Sequence, residues 1–414
     1  MAAGRKRLDN LFPNVFEYID GAIPGNRGIP DGVGNPGDRG IPDGVGNPED
    51  RGIPDDGAIP GGNGSPDVIC FLSGGSEQEA IALLSPDTFT LLLAGFEDNA
   101  FAAAMEVVAW AGNRNVPVML VSLDEAAESQ LPEKMASVCK ALKNLRGKRV
   151  GLIGGVSHWL VASAVHKEIA RKVLGLEILH FPWEVLPDYK AFPPDPELLE
   201  VFGDHGPERL EKEAGILGFL KKVIGDQQLD ALTLECFTMV KDHDITACLS
   251  LGLLNSQGFP AGCEGDMVSL AGMMLAKELT GVVPWMANVA AIRGGTILFA
   301  HCTAPLNLVE SFQVDSHFET GKSAAIKGET NMDQVTVFRM NEKLDKAFVA
   351  EGKIVSRPSH GFACRTQSEV ALSPSDNEKI RQYPLGNHHL LLPGHQKDLL
   401  ELACRYKGIQ VVWP

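Results

Sequence analysis

Carboxylates and imidazoles gather in the second half of this chain at positions that chemistry can use. Glu264 and Asp266 lie in the turn Gly-Cys-Glu-Gly-Asp at 262–266, immediately before a helix-like run. Carboxylates at a helix N-terminus are stabilised by capping and by the helix dipole whatever their role, so the turn alone defines no site. Its candidate partners follow downstream. Asn288 ends the apolar run VVPWMAN, His301 ends TILFAHC, His317 and Glu319 sit in DSHFETG, and His388 and His389 open HHLLLP. Carboxylate and imidazole together are ligand chemistry for Mn²⁺, Fe²⁺, Co²⁺ or Zn²⁺. Open α/β sheets place their ligands at strand ends, where several of these residues fall. A lone strand histidine is usually structural, but four at strand ends in the same half of the chain put a divalent-metal site level with that reading.

Two glycine-rich turns are suited to a polar ligand, because they present backbone N–H groups. One is Ser73-Gly74-Gly75-Ser76-Glu77, and the other runs from Gly154 to Trp159. Each taken alone also reads as an ordinary βα turn. Neither has the spacing of a dinucleotide or P-loop motif, and hydrolase, zinc-protease and kinase signatures are absent from the sequence. Cys302 follows His301 directly, and adjacent strand residues point to opposite faces, which argues against a Cys–His catalytic pair.

The elements that must position these groups alternate. VICFL, TFTLLLAG and PVMLVSLDE are strand-like, with helical runs between them, and Asp98 or Asn99 is placed to cap the helix that follows. The pattern restarts at Arg149 with RVGLIGG, a helix expected over 158–175, LEILHFP, a helix over about 207–224, ALTLECF, a helix over 244–254 and another over 267–279. This alternation predicts parallel sheets with crossover helices. From TILFAHC onward, short strands separated by Gly, Asn or Asp turns predict a β-rich domain, closing with a helix at 396–406. The expected organisation is an N-terminal segment over 1–66, α/β domains over 67–146 and 147–290, and a C-terminal domain over 291–414.

The chain has 414 residues and a net charge of −16, which argues against nucleic-acid or anionic-membrane partners. No apolar stretch of about 18 residues predicts a membrane span, and no apolar run after the basic start predicts a secretory signal. Eight cysteines without a CxxC, mostly in apolar runs, predict buried thiols in a reducing compartment, so a cytoplasmic location is expected. Residues 21–64 carry RGIPDGVGNP at Arg27 and again at Arg39, with RGIPDDG at Arg51. This 12-residue Gly/Pro repeat holds too little apolar surface to pack and predicts disorder.

The ordered set of motifs is similar to the L-fucose isomerase/L-arabinose isomerase superfamily. GCEGD with its helix, the strand ending in MAN, and FAHCTAP resemble its core. DSHFETGKSAAIKG, VTVFR, CRTQ and GNHHLLLPG resemble its C-terminal domain, while SGGSE, EDNAFAAAMEVVAW and KRVGLIGGVSHWLVAS resemble its N-terminal units, so that the likeness spans 67–414. The resemblance implies two α/β sandwich (Rossmann-like) domains followed by a β-barrel-like domain, and a homotrimer or homohexamer. It implies a metal-dependent aldose–ketose isomerase acting on an L-fucose- or L-arabinose-like sugar, with Mn²⁺ or another divalent ion and proton transfer through an enediol. Glu264 matches the glutamate that is both ligand and acid/base group. The position of the family's second carboxylate, 24 residues on, is Asn288, a departure: its carbonyl can coordinate, but it is no base. His388 or His389 matches the C-terminal ligand, and His301 a further one. Glu235, Asp266 or Glu319 is then needed as the second acid/base group, while Ser73, Gly74, Gly75, Trp159, His317 and Glu319 are sugar-binding candidates. Asn288 keeps open a sugar-binding or regulatory protein without isomerase activity. An aldolase- or epimerase-like enzyme on the same scaffold is a third reading.

Overall fold

The computed structural model describes residues 68–411, apart from 87, 115, 130 and 206–209. The Gly/Pro repeat and the rest of the N-terminal segment therefore lie outside the described residues. By internal contacts the chain divides into two compact units, one ending at Pro132 and the other beginning at Glu133.

The first unit is a three-stranded parallel sheet of β1 (Val68–Phe71), β2 (Thr90–Ala94) and β3 (Val118–Ser122), with β2 in the middle. β2, Thr-Leu-Leu-Leu-Ala, is buried throughout, as a parallel strand covered on both faces must be. Helices α1 (Glu77–Leu83) and α2 (Ala100–Gly112) supply crossovers, and α2 buries Ala100, Ala103, Ala104, Val107 and Ala111. Asn99 occupies the N-cap position of α2 but makes no side-chain cap bond. Asp98 and Asn99 both take left-handed backbone conformations, and the side-chain cap that the sequence suggested does not form.

The second unit holds a parallel sheet and a barrel. The sheet runs in the order β5 (Glu177–Phe181), β4 (Arg149–Ile153), β6 (Ala231–Leu234), β7 (Ala261–Gly262). The six strands β8 (Trp285–Arg293), β9 (Thr296–His301), β12 (Gln334–Met340), β13 (Lys346–Ser356), β14 (Thr366–Ala371) and β15 (His388–Pro393) follow the order β12-β15-β8-β9-β14-β13. Pairing of β12 with β13 closes them into a barrel, which leaves these six strands no free edge. The short β16 (Gln410–Val411) adds to β13, and β10 (Val309–Asp315) and β11 (Ala325–Thr330) form a separate antiparallel pair. The mixed α/β class, the parallel sheets and the barrel thus agree with the sequence. No helix among the described residues is long and apolar enough to cross a membrane.

Three local expectations change. The helix expected over 158–175 is confined to Lys167–Leu174. Residues 158–166 stay irregular because their polar groups are engaged elsewhere: the Ser163 carbonyl accepts from Met267 N, and Arg339 reaches Ala162 O and Ser163 Oγ. The helix expected from Asp244 starts at Cys248, since Asp244 takes a left-handed conformation that ends the preceding helix, Cys236–His243. Asn288 does not end a strand: it is the fourth residue of β8 and faces His388 across the ladder.

The helix after the GCEGD turn, Met267–Thr280, is capped by the Asp266 carboxylate, which accepts from Ser269 N at 2.7 Å. Its Gly272 lies against Leu390 of β15 and Phe338 of β12, so the helix seats directly on the barrel. This close approach fixes the turn over the barrel strands that carry His388 and Arg339. Gly272→Val should therefore destabilise the protein by about 1–3 kcal/mol through overpacking, measured by urea unfolding; unchanged stability would show that the helix does not depend on this contact.

Candidate metal and sugar site

The GCEGD turn has an unusual backbone. Glu264 has φ +59° and Gly265 has φ +70°, both left-handed. A side chain at 265 would run into the Gly155 carbonyl and Val156, so glycine is required there. Glu264 is not glycine, and its conformation carries a strain of about 1–3 kcal/mol of the kind found at functional sites. It is held by Ser157 N, which donates to the Glu264 carbonyl at 2.9 Å, and by Gly265 N, which donates to Leu234 O at 3.0 Å.

This conformation directs the Glu264 carboxylate at two buried imidazoles. Oε1 lies 3.7 Å from His388 Nε2 and 3.9 Å from His301 Nε2, while Trp159 Nε1 donates to Oε2 at 2.7 Å. Ligand atoms of Glu264, His301 and His388 all fall within 4.8 Å of one another. Separations near 3.7 Å are too long for hydrogen bonds but suit atoms sharing an ion with ligand bonds of about 2.0–2.2 Å. His388 Nε2 is fully buried without a hydrogen-bond partner, a costly state for a nitrogen that an ion would satisfy. The other imidazole nitrogens are engaged, His388 Nδ1 with Asp266 Oδ2 at 2.9 Å and His301 Nδ1 with the Thr303 hydroxyl at 3.0 Å. Such outer bonds turn the Nε2 atoms inward. The donor set fits a divalent cation of the Mn²⁺, Fe²⁺, Co²⁺ or Zn²⁺ class.

The same contacts shift the titration of these groups. Burial would raise the Glu264 carboxyl, but His388, His301 and the Trp159 N–H outweigh it and lower it to about 2. Burial would lower His388, yet Asp266 and Glu264 raise it to about 9. His301 is pushed down to about 3, first by burial and then by the neighbouring His388. Asp266 is also held well below the usual carboxylate range: burial opposes its charge, and Arg339 and His388 prevail. Arg339 Nη1 lies 2.9 Å from Asp266 Oδ2, and both side chains are wholly buried. Breaking such a pair leaves an uncompensated buried charge. Arg339→Met should therefore cost about 3–5 kcal/mol in stability, read from chemical denaturation; a loss under 1 kcal/mol would mean that Asp266 needs no counter-charge.

The other sequence candidates are not among these three donors. His389 points away from the cluster, bonding the Asn387 carbonyl through Nδ1 and packing edge-on against Phe348. It is pushed down to about 3 by burial. Asn288 Oδ1 accepts from Asn387 Nδ2 at 2.6 Å. The Glu235 carboxylate accepts the Thr238 hydroxyl beside the Gly154–Gly155 turn, outside the cluster. His317 packs edge-on to Phe237, which in turn packs on Trp159. Glu319 is exposed, though crowding of its carboxyl, followed by the Glu264 charge, raises its pKa. Ser73, Gly74 and Gly75 belong to the first unit, where Gly74 N donates to Asp98 O. Trp159 also lines a cavity of about 520 Å³ with Val289, Ile292, Arg381, Asn387 and His389.

Sequence reasoning missed Arg339 and Thr303. An arginine in the apolar strand QVTVFRM was the available signal for the first, since a buried charge must find a partner. Thr303, two residues past His301, carried no signal.

No family model matches this chain. The chain is similar to the protein named sulfoquinovose isomerase of Priestia aryabhattai, and equally to that of Priestia megaterium (strain ATCC 12872 / QMB1551). Each is 22% identical over 278 residues, which cover 61% of this chain and 61% of the relative. The chain thus spans less than two thirds of the length of these curated relatives. The likeness points to sugar isomerases as a class and does not single out the L-fucose isomerase group.

Proposed function

We propose that this chain is a metal-dependent aldose–ketose isomerase working through an enediol. The observation that carries this reading is the buried Glu264–His301–His388 cluster with its unsatisfied His388 Nε2. The names of the similar proteins add independent support. Glu264, His301 and His388 would hold the ion, and Asn288, opposite His388 on the ladder, would add a neutral oxygen only on releasing Asn387. When bound, Mn²⁺ or a like cation supplies the positive charge that stabilises an enediolate. Glu264, ionised at neutral pH and fixed by Trp159, takes the proton from one carbon and returns it to the next. Glu319, whose carboxyl is raised by burial and by the Glu264 charge, is our first choice for the second acid/base group, with Glu235 as the other. Asp266 is excluded from that role because Arg339, His388 and Ser269 occupy it. Ser73, Gly74 and Gly75 remain sugar-contact candidates in the first unit, and we extend the reading to a homotrimer or homohexamer.

Our reading of the sugar class rests on the cavity beside Trp159. Its lining offers Arg381, which among the described residues makes a loose contact with Glu378 at 3.8 Å. A guanidinium in that state suits a sulfonate or a similar anionic group on the sugar. Sulfonated hexoses therefore join neutral fucose- and arabinose-like sugars as candidate substrates.

Proton exchange at C1 and C2 in D₂O, followed by NMR, tests the reaction. Metal-loaded protein should exchange, and Glu264→Gln should slow exchange by about 10²–10⁴-fold. A folded protein that is stabilised by sugar without metal and shows no exchange would instead be a sugar-binding protein. For the substrate class, Arg381→Ala should raise KM for a sulfonated sugar by about 10–100-fold, the size of a lost charge-assisted hydrogen bond, and leave a neutral sugar unchanged. Equal effects on both sugars would remove Arg381 from recognition.

A further inference from the structure

A second group of donors lies in the same unit and is not used by the proposed reaction. Cys248 is the first residue of the helix Cys248–Ser256, Cys302 follows β9, and His317 sits in the loop between β10 and β11. These three come from distant parts of the chain, yet their ligand atoms lie within 4.8 Å of one another, and all three residues are buried. Cys364, in the segment before β14, belongs to the apolar cluster that also contains Cys248 and Cys302.

Buried cysteines often behave as small apolar residues, and a cluster of three alone would carry little. The imidazole makes the difference. His317 is positioned by its own loop: its N–H donates to the Lys322 carbonyl at 2.9 Å, and its carbonyl accepts from Gly321 N at 2.8 Å. The loop is anchored by Arg365, which donates to Ser316 O at 2.6 Å and to Ser316 Oγ at 2.9 Å. His317 Nδ1 bonds the Thr320 hydroxyl at 3.1 Å, which leaves Nε2 as the nitrogen able to take an ion. This is the outer bond that metal-ligating histidines commonly have. Sulfur with imidazole selects a borderline-soft ion, Zn²⁺ above all, over the Mn²⁺ favoured by oxygen donors.

We propose that Cys248, Cys302 and His317 form a second, zinc-class metal site distinct from the Glu264–His301–His388 cluster. The site ties one helix start, the end of β9 and the 316–322 loop together. Because Cys302 adjoins His301, it also anchors the strand end that carries a donor of the first site. The proposal does not depend on the isomerase reading, since it concerns binding at other residues.

The test uses the full chain, made metal-free and kept reduced, with Co²⁺ alone as the probe. Thiolate-bound Co²⁺ gives a sulfur-to-metal charge-transfer band in the near ultraviolet, which the sulfur-free Glu264 cluster cannot produce. The band should saturate at one Co²⁺ per chain, persist in His388→Gln, and be displaced by Zn²⁺. Loss of a ligand in Cys302→Ala or His317→Gln should weaken Co²⁺ binding by about 100-fold or more, since outer-bond losses alone cost 10–100-fold. His317→Gln keeps the test decisive if the cysteine variant fails to fold. Absence of the band in the wild-type chain would overturn the proposal, as would a band of unchanged affinity in folded His317→Gln.

Discussion

Asp266 is the constraint on which the site depends. Its wholly buried carboxylate caps the helix Met267–Thr280, accepts from Arg339 of the barrel and holds the imidazole of His388. One side chain thereby ties a turn of the parallel sheet to two barrel strands. An isolated buried carboxylate would be very costly, and three partners make it tolerable here. Because Asp266 takes His388 Nδ1, the other nitrogen has to face Glu264. The strained Glu264 backbone, with Gly265 packed on the Gly154–Val156 turn, presents the carboxylate from the opposite side. The donor cluster is a consequence of how the sheet and the barrel are joined.

Much of this was legible in the sequence because it is local. Strand and helix alternation, the long apolar runs of the barrel and the Gly-flanked Glu264 follow from periodicity and turn chemistry. His301 at the end of a strand and His388 at the start of one were found in the same way, and the geometry separates His388 from His389 by strand alternation. What was not legible is long-range. The segment 158–166 has helical composition but yields its backbone groups to Arg339 and Met267, and nothing nearby in sequence announces that. Cys248, Cys302 and His317 are likewise brought together only by the tertiary fold, with no short spacing to reveal them.

Asn288 sharpens the chemical account. An amide in place of a carboxylate removes one negative charge from the candidate metal site and one potential base. Its bond to Asn387 ties it to the loop that lines the cavity beside Trp159. In the proposed reaction the charge comes from Glu264 alone among the ion's ligands, with Asp266 acting at one remove through His388. That arrangement makes Asp266 a positioning residue whose loss is felt at the ion.

Calorimetric titration of the metal-free full chain with Mn²⁺ tests this most directly. The account predicts a saturable site that is lost in His388→Gln and weakened by about 10–100-fold in folded Asp266→Asn. Mn²⁺ binding of equal strength in the wild-type chain and both variants would contradict it.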